Sequence, residues 1–169
     1  MYDGGLDSPP VSQTEEFPSM FTFALLAGTV ATGLMAGLFF GYACSVVPAL
    51  GGLDDRTYVD VMRRINRAIQ NPAFGLCFLG ALVLPGVAAI GLRAEHPTAA
   101  GWTLAGLAAY LVAVLITFTA NIPRNNRLDR DDGTGARRAF EGAWNRYHLL
   151  RTVFTGAALV LLCQALVVL

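Results

Sequence analysis

A histidine and an arginine one helical turn apart, His148 and Arg151, mark the point where a polar stretch of the chain passes into an apolar one. An imidazole titrates near neutral pH and a guanidinium is a permanent cation, so together they could hold an anion or an enolate. Trp144 and Asn145 belong to the same stripe, because spacings of three, four and seven residues fall on one face of a helix. The pattern therefore predicts a site with a base, a fixed cation and a stacking aromatic ring.

A plainer interpretation of these residues is membrane anchoring. Arg151 would then reach lipid headgroups, Trp144 would belong to an aromatic belt, and His148 would cap a neighbouring helix. Nearby amides weigh against this interpretation, because an asparagine at such a place is costly unless it is paired. These amides belong to Asn121, Asn125, Asn126 and Asn145. We therefore predict that asparagines converge with His148 and Arg151 on one polar site, with His148, Arg151, Asn121 and Asn125 as the candidates for catalysis that the family resemblance described below implies.

Two polar segments flank the apolar runs of the chain. The segment after Asn121 contains a proline, two further asparagines and several arginines, which cannot continue an apolar helix and must face water or converge on something polar. The segment 51–71 opens with Asp54 and Asp55 and then carries apolar residues at helical spacing, which predicts an amphipathic helix on the membrane or over a bundle. Its apolar residues are Tyr58, Met62, Ile65 and Ile69. We interpret its arginines (Arg63, Arg64 and Arg67) as contacts to anionic lipid.

Two asparagines of the segment 51–71 need a separate explanation. Asn66 is a candidate substrate-binding residue, because lipid contact does not account for an amide on this helix. Asn71 precedes Pro72, so it is suited to cap the helix that follows.

The elements that must position these residues are membrane-spanning helices. Although the chain has 169 residues, 54% are hydrophobic and only 14% are charged. Four runs of 37, 25, 28 and 18 residues contain no charged side chain at all. The sequence predicts an all-α, four-helix transmembrane bundle with spans at about 20–50, 72–92, 98–122 and 149–169, after an acidic, disordered tail at 1–19. The last run is short, so its helix is expected to begin near Ala136 and to project from the membrane.

The arginines predict the orientation of the bundle. Eleven of the twelve lie in the segments between spans one and two and between spans three and four. The positive-inside rule therefore places loops 51–71 and 123–148 in the cytoplasm and both termini outside, for a multi-pass protein of the cell membrane. Within span one, three glycines spaced by four residues predict a face for close helix packing. They are Gly33, Gly37 and Gly41.

The composition also argues against several classes of protein. A net charge of zero gives no footprint for nucleic acid. The three cysteines are isolated in apolar runs, which predicts no disulfide. The only histidine besides His148 is His96, on the other side of the predicted membrane, so the two cannot share a metal ion. No apolar run contains the acids of a di-metal bundle or a haem histidine, and we predict neither a metal nor another cofactor.

Two stretches of the sequence resemble a known family. The first runs Gly-Leu-Phe-Phe-Gly-Tyr-Ala-Cys-Ser-Val-Val-Pro-Ala-Leu from Gly37 and continues through Met-Arg-Arg-Ile-Asn to Asn71-Pro72. The second combines Asn-Ile-Pro-Arg-Asn-Asn-Arg-Leu from Asn121 with Trp-Asn-Arg-Tyr-His-Leu-Leu-Arg-Thr from Trp144. Both are similar to the anthrone-oxygenase-like family of small four-span membrane proteins, long catalogued as a domain of unknown function. The resemblance covers nearly all of the chain after the acidic tail.

The resemblance implies oxidation of an anthrone to an anthraquinone by O₂ without an evident cofactor. An anthrone has an acidic CH₂ group, and its enolate reacts with O₂ directly, so the protein need supply only a base, charge stabilisation and a dry pocket. In this chain His148 would be the base, and Arg151 would stabilise the enolate oxygen with the amides of Asn121 and Asn125. The substrate-binding residues would be Trp144, Asn145, Asn66 and Tyr42, with Trp144 or Tyr42 as the stacking surface. The implied partners are a hydrophobic small molecule and the lipid bilayer.

An alternative hypothesis is a non-catalytic membrane subunit whose polar cluster locks the helices together or docks a membrane-protein partner or a second copy of the chain. A transporter is less well supported, because no charge lies in mid-membrane and no inverted repeat is visible. The two main hypotheses differ in one structural expectation. An oxygenase requires that His148, Arg151, Asn121 and Asn66 surround a cavity, whereas a locking cluster requires that they pair with each other and leave no space.

Overall fold

The computed structural model of the chain describes residues 19–131 and 135–169. Within these ranges the chain forms five helices and no strand. The predicted disordered tail lies, apart from Ser19, outside the described residues. The helices are α1 (Met20–Gly51), α2 (Asp55–Ala68), α3 (Pro72–Leu92), α4 (Pro97–Arg130) and α5 (Ala136–Val167).

Four of the five helices, α1, α3, α4 and α5, are long and apolar enough to cross a membrane. They pack in chain order around the bundle, α1 on α3, α3 on α4, α4 on α5 and α5 on α1. Their outward surfaces are apolar, as expected where lipid is the solvent. Examples of exposed side chains are Phe23, Leu76, Ile90 and Val160. The predicted all-α four-helix transmembrane bundle is confirmed.

Side-chain caps explain where three of the helices begin. The hydroxyl of Ser19, the carboxylate of Asp54 and the amide oxygen of Asn71 each accept a hydrogen bond from a backbone N–H in the first turn of the helix that follows. Hydrogen bonds from the hydroxyl and amide of Thr57 also lower the pKa of Asp54. The cap predicted for Asn71 is therefore confirmed, with Pro72 in the first turn of α3.

Two of the long helices contain a π-helical turn, at Tyr42–Val46 in α1 and Thr117–Asn121 in α4. Each turn ends two residues before a proline, Pro48 or Pro123. A proline has no N–H to donate and its ring crowds the preceding turn, and a wider turn accommodates that conflict without ending the helix. Because of this, α4 continues to Arg130, although the sequence predicted that span three would end at Ile122.

Close packing between helices occurs at glycines other than the predicted ones. The space around Gly37 and Gly41 is open, and a side chain at Gly33 would meet only ordinary contact. In contrast, a Cβ atom at Gly28 would lie 2.7 Å from the ring of Pro85, and one at Gly106 would lie 2.9 Å from Leu162. The packing face predicted at Gly33, Gly37 and Gly41 was therefore wrong, because spacing identifies a helical face but not the helix that it meets.

Helix α2 lies across one end of the bundle with its apolar face inward, and its predicted amphipathic character is confirmed. Tyr58, Met62 and Asn66 are buried, and burial raises the pKa of the Tyr58 phenol above its ordinary range. Arg63 donates from Nε and Nη2 to the carbonyl oxygen of Leu128, at 3.1 and 2.9 Å, and from Nη2 to the carbonyl of Asp131. The prediction that Arg63 contacts lipid was therefore wrong, because its cation binds backbone carbonyls at the end of α4.

A second arginine joins α5 to the connection between α1 and α2. Arg137 forms ion pairs with Glu141, at 2.7 Å, and Asp55, at 3.3 Å, and it donates to the carbonyls of Gly51 and Leu53. Helix α5, which carries Arg137, begins at Ala136, and this confirms the predicted start of the last helix. We call the end of the bundle formed by α2, the last turns of α4 and the first turns of α5 the arginine-rich end.

Candidate functional site

A cavity of about 300 Å³ lies at the arginine-rich end. This volume is at the lower limit of the about 300–1,000 Å³ that is typical of small-ligand sites. Its walls come from all five helices. Ile65 and Asn66 of α2 line it, together with Ile69 and Gln70, which follow that helix. The π turns contribute directly, since Tyr42 opens the first turn, and Thr117 and Asn121 are the first and last residues of the second.

Seven of the eight predicted site residues line this cavity. They are Tyr42, Asn66, Asn121, Asn125, Trp144, His148 and Arg151. Asn145 is the exception, because it is next to Trp144 in a helix and therefore points about 100° away. A cavity is therefore present among His148, Arg151, Asn121 and Asn66, although His148 and Arg151 also bond to each other.

Both ring nitrogens of His148 have partners. Nε2 lies 3.1 Å from the carbonyl oxygen of Phe39, just before the first π turn. A carbonyl can only accept, so Nε2 carries the proton, and Nδ1 accepts hydrogen bonds of 3.1 Å from Nε and Nη2 of Arg151. The imidazole is therefore neutral, with its unprotonated nitrogen facing the guanidinium, and it is only 2% exposed.

Arg151 is a partly buried cation that has no carboxylate partner among the residues that the structure describes. Besides its bonds to His148, it donates from Nη1 to the hydroxyl of Thr117, at 3.4 Å. Its guanidinium carbon lies 4.3 Å from the centroid of the Phe39 ring, in a cation–π contact. Among the described residues, the ion pairs are those of Arg137. A charge in such surroundings is costly unless an anion joins it.

Trp144 forms a rigid aromatic wall beside the histidine. Its ring stacks on His148 with centroids 4.9 Å apart and an angle of 13° between the planes. The indole N–H donates to Oδ1 of Asn125 at 2.7 Å, and Tyr42 packs against His148 with centroids 5.2 Å apart. Phe140 also stacks on Trp144, with centroids 5.7 Å apart. The indole is thus held between two rings and forms a fixed aromatic part of the cavity wall.

Two asparagines that line the cavity each have one buried amide atom without a hydrogen-bond partner among the described residues. These atoms are Nδ2 of Asn66 and Oδ1 of Asn121, in side chains of residues that are 5% and 1% exposed. Nδ2 of Asn121 points to the carbonyl oxygen of Trp144 at 3.4 Å. That carbonyl fixes the orientation of the amide, because the opposite orientation would bring two acceptors together. The wall of the cavity therefore contains one donor and one acceptor that are buried and unpaired among the described residues.

The sequence did not single out several residues of the cavity. Thr117 belongs to an apolar run and looks like an ordinary threonine within a helix, although its spacing of four from Asn121 is a usable signal. Gln70 and Asp129 also line the cavity, as does Asn126, one of the asparagines noted in the sequence. Across the described ranges, no group of three or more His, Cys, Asp or Glu side chains is close enough to hold a metal ion.

The family model for anthrone oxygenase matches residues 64–161, which is more than half of the chain. The chain belongs to the anthrone oxygenase family. The match includes every predicted site residue except Tyr42, so the cavity of this anthrone oxygenase family member lies mainly within the shared region. No curated protein and no solved structure matches the chain. It is a multi-pass membrane protein of this family.

Proposed function

We propose that this protein is an oxygenase that oxidises an anthrone-like aromatic ketone with O₂, using its own side chains and no cofactor. The observation that carries the proposal is the guanidinium of Arg151, which faces a mainly apolar cavity and has no carboxylate partner among the described residues. An enolate oxygen supplies the missing anion. The family match supports the same reaction class.

In the proposed reaction, the ring system lies in the cavity beside Tyr42 and Trp144, with its ketone oxygen towards Arg151. A CH₂ proton moves to Nδ1 of His148 when Arg151 turns from the imidazole to the substrate oxygen, and the enolate forms against the guanidinium. The enolate carbon forms a bond to O₂. The second proton of that carbon then leaves, the O–O bond breaks, and one anthrone and one O₂ become one anthraquinone and one water.

The proposed role of the His148–Phe39 hydrogen bond is to hold the imidazole in the tautomer that this step requires. With the proton fixed on Nε2, the lone pair of Nδ1 is directed at the guanidinium and hence at the substrate oxygen that replaces it. The same contact prevents the ring from rotating away from Trp144. We also propose that the arginine-rich end faces the cytoplasm and that both termini lie outside.

The test is aerobic turnover by the purified full-length protein with a panel of anthrones and hydroquinones. O₂ uptake and the absorbance of the quinone product are recorded together, with anaerobic samples and samples containing a chelator as controls. We expect equal amounts of O₂ consumed and quinone formed, and no effect of the chelator. Absence of turnover with every compound would contradict the proposal and favour the subunit hypothesis.

The role of His148 is tested in the same assay. We expect a fall of about 10²–10⁴ in turnover in His148→Ala, the range typical of a lost general base. Retained turnover in a variant that still folds and inserts in the membrane would remove His148 from the base role.

A further inference from the structure

A groove of about 170 Å³ lies between the last turns of α4 and the first turns of α5 and shares no lining residue with the cavity. Its α5 side is formed by Phe140 and three alanines, and its α4 side by Arg124, Arg127, Leu128 and Asp131. The groove is smaller than the about 300–1,000 Å³ that is typical of small-ligand sites. It therefore has room for one polar group of a ligand whose remainder lies outside.

Two arginines give this groove an excess of positive charge. Among the described residues the ion pairs are those of Arg137, so neither Arg124 nor Arg127 forms one there. One carboxylate, that of Asp131, also lines the groove. The first turns of α5 add to the positive potential, because the dipole of a helix is positive at its N-terminus. The groove is therefore suited to an anion.

Arg124 is held in position by two contacts. Its Nη1 donates to the carbonyl oxygen of Ala120 at 2.8 Å, and its guanidinium carbon lies 4.5 Å from the centroid of the Tyr147 ring. This is the one hydrogen bond that its N–H groups form with described residues. The remaining N–H groups suit a phosphate, because a guanidinium can bond to two phosphate oxygens at once.

The surroundings of the groove identify a lipid as the source of the anion. The side chains of Leu128 and Phe140 are buried in its floor, so the floor is apolar. The same face of α5 continues with Leu150, which follows Ala143 by seven residues and is 42% exposed in the membrane-spanning helix. A phospholipid matches this order of charge and apolar surface, because its phosphate precedes its acyl chains.

We infer that the groove between α4 and α5 binds the headgroup of an anionic phospholipid, with the phosphate on Arg124 and Arg127 and the acyl chains along α5. Basic pockets between membrane-spanning helices recognise anionic headgroups in this way. The site is one aromatic contact away from the cavity, because Phe140 in its floor stacks on Trp144 with centroids 5.7 Å apart. Binding of the lipid does not depend on the oxidation proposed above.

Native mass spectrometry of the full-length protein in detergent, titrated with one lipid at a time, tests the inference. Phosphatidylglycerol has a net negative charge, whereas phosphatidylcholine with the same acyl chains has a phosphate but no net charge. Inorganic phosphate and glycerol phosphate serve as competitors that lack acyl chains. We expect phosphatidylglycerol to bind about tenfold more tightly than phosphatidylcholine, and neither competitor to displace it.

Variants of the groove locate the bound lipid. Arg124→Gln and Arg127→Gln should each weaken binding of phosphatidylglycerol about fivefold, the factor expected for one arginine beside an anionic headgroup. Ala139→Leu keeps both charges but fills the groove with a larger side chain, and it should weaken binding to a similar extent. The matched control is Arg64→Gln, which removes an exposed cation outside the groove and should keep the affinity.

Equal affinity for the two lipids in the unmodified protein would overturn the inference, whether or not the variants fold. Displacement of phosphatidylglycerol by inorganic phosphate would also overturn it, because the groove would then be a site for a free anion. An equal loss in Arg64→Gln and Arg127→Gln would do the same, since total charge and not the groove would determine binding. A lipid-free dimer that Ala139→Leu disrupts would overturn the inference by assigning the groove to a second copy of the chain.

Discussion

The two ends of the bundle are built from different kinds of residue. At the end opposite to the arginine-rich one, small residues let the helices touch, with Gly28 against Pro85 and Gly106 against Leu162. The buried cluster there contains leucines and alanines and no aromatic ring. At the arginine-rich end, the buried cluster includes Tyr58, Phe140 and Trp144. Trp144 belongs both to this cluster and to the wall of the cavity.

The difference in composition suggests that one end of the bundle stabilises the fold and the other carries the activity. Close contact between helices gives dispersion energy that lipid would not supply, so the small-residue end favours assembly of the bundle. The arginine-rich end contains Arg151, which has no carboxylate partner among the described residues, and the unpaired amide atoms of Asn66 and Asn121. Such buried groups lower the stability of the protein in the absence of a ligand. Stability should therefore depend mainly on one end and activity mainly on the other.

The largest expected effect is that of Arg151→Leu on activity. Removing the group that holds the enolate should lower turnover by about 10²–10³, as for loss of an oxyanion donor. The thermal unfolding temperature should stay the same or rise, because the variant removes a partly buried cation that has no carboxylate partner among the described residues. O₂ uptake and thermal unfolding in detergent measure the two quantities.

The matched control for this variant is Arg146→Leu, which removes an exposed cation from the same helix outside the cavity. It should retain normal turnover. Equal losses in the two variants would indicate that overall charge, and not the position of Arg151, supports the reaction.

The second effect concerns the opposite end. Gly28→Ala places a methyl group against the ring of Pro85, which cannot rotate aside, and should destabilise the bundle by about 1–3 kcal/mol. Gly37→Ala is the control, because the space at Gly37 is open. Unfolding by denaturant checks both, and turnover per folded molecule should be unchanged in each. A loss of ligand affinity in folded Gly28→Ala would show that the two ends are coupled.

A smaller effect is expected where α2 is attached to α4. Arg63→Ala removes three hydrogen bonds to backbone carbonyls, so α2 should open more often and ligand affinity should fall several-fold. Hydrogen exchange of α2 amides measures the opening. Its neighbour Arg64 is exposed, and Arg64→Ala should leave the exchange unchanged. Faster exchange in both variants would point to a general effect of charge on this helix.

The smallest effect is that of Trp144→Phe, which keeps an aromatic ring beside His148 but loses the N–H bond to Asn125. A single hydrogen bond contributes about 0.5–1.5 kcal/mol, so KM should rise a few-fold with little change in kcat. Trp102→Phe, in the other tryptophan, should have no effect on KM. A large fall in kcat would instead assign the indole a part in the chemical step.

Local signals in the sequence predicted most of these features. The charge-free runs gave the four spans, Asn71 before Pro72 gave a helix cap, and the stripe of Trp144, His148 and Arg151 gave the centre of the site. In each case the information lies within a few neighbouring residues. Such signals specify which face of a helix is polar, and the bundle then brings those faces together.

Pairings between helices could not be predicted in the same way. The partner of Arg63 is a carbonyl 65 positions along the chain, and the open space at Gly37 depends on how α1 is rotated against its neighbours. The unpaired oxygen of Asn121 depends on a carbonyl of α5 that fixes the amide. The spacing of residues along the chain does not predict these pairings, because each depends on the distance between two helices and on their rotation relative to each other.

The π turn of α4 changes which residues of that helix share a face. An α-helix turns by about 100° per residue, so one additional residue in a turn shifts the phase of everything that follows. The helical periodicity of α4 is therefore interrupted at Thr117–Asn121. Residues before this turn and residues after it cannot be assigned to faces with a single period of about 3.6 residues. Deleting a single residue between them would rotate the asparagines and Asp129 by about a quarter of a turn relative to His148. The register of the cavity is thus set by one inserted residue.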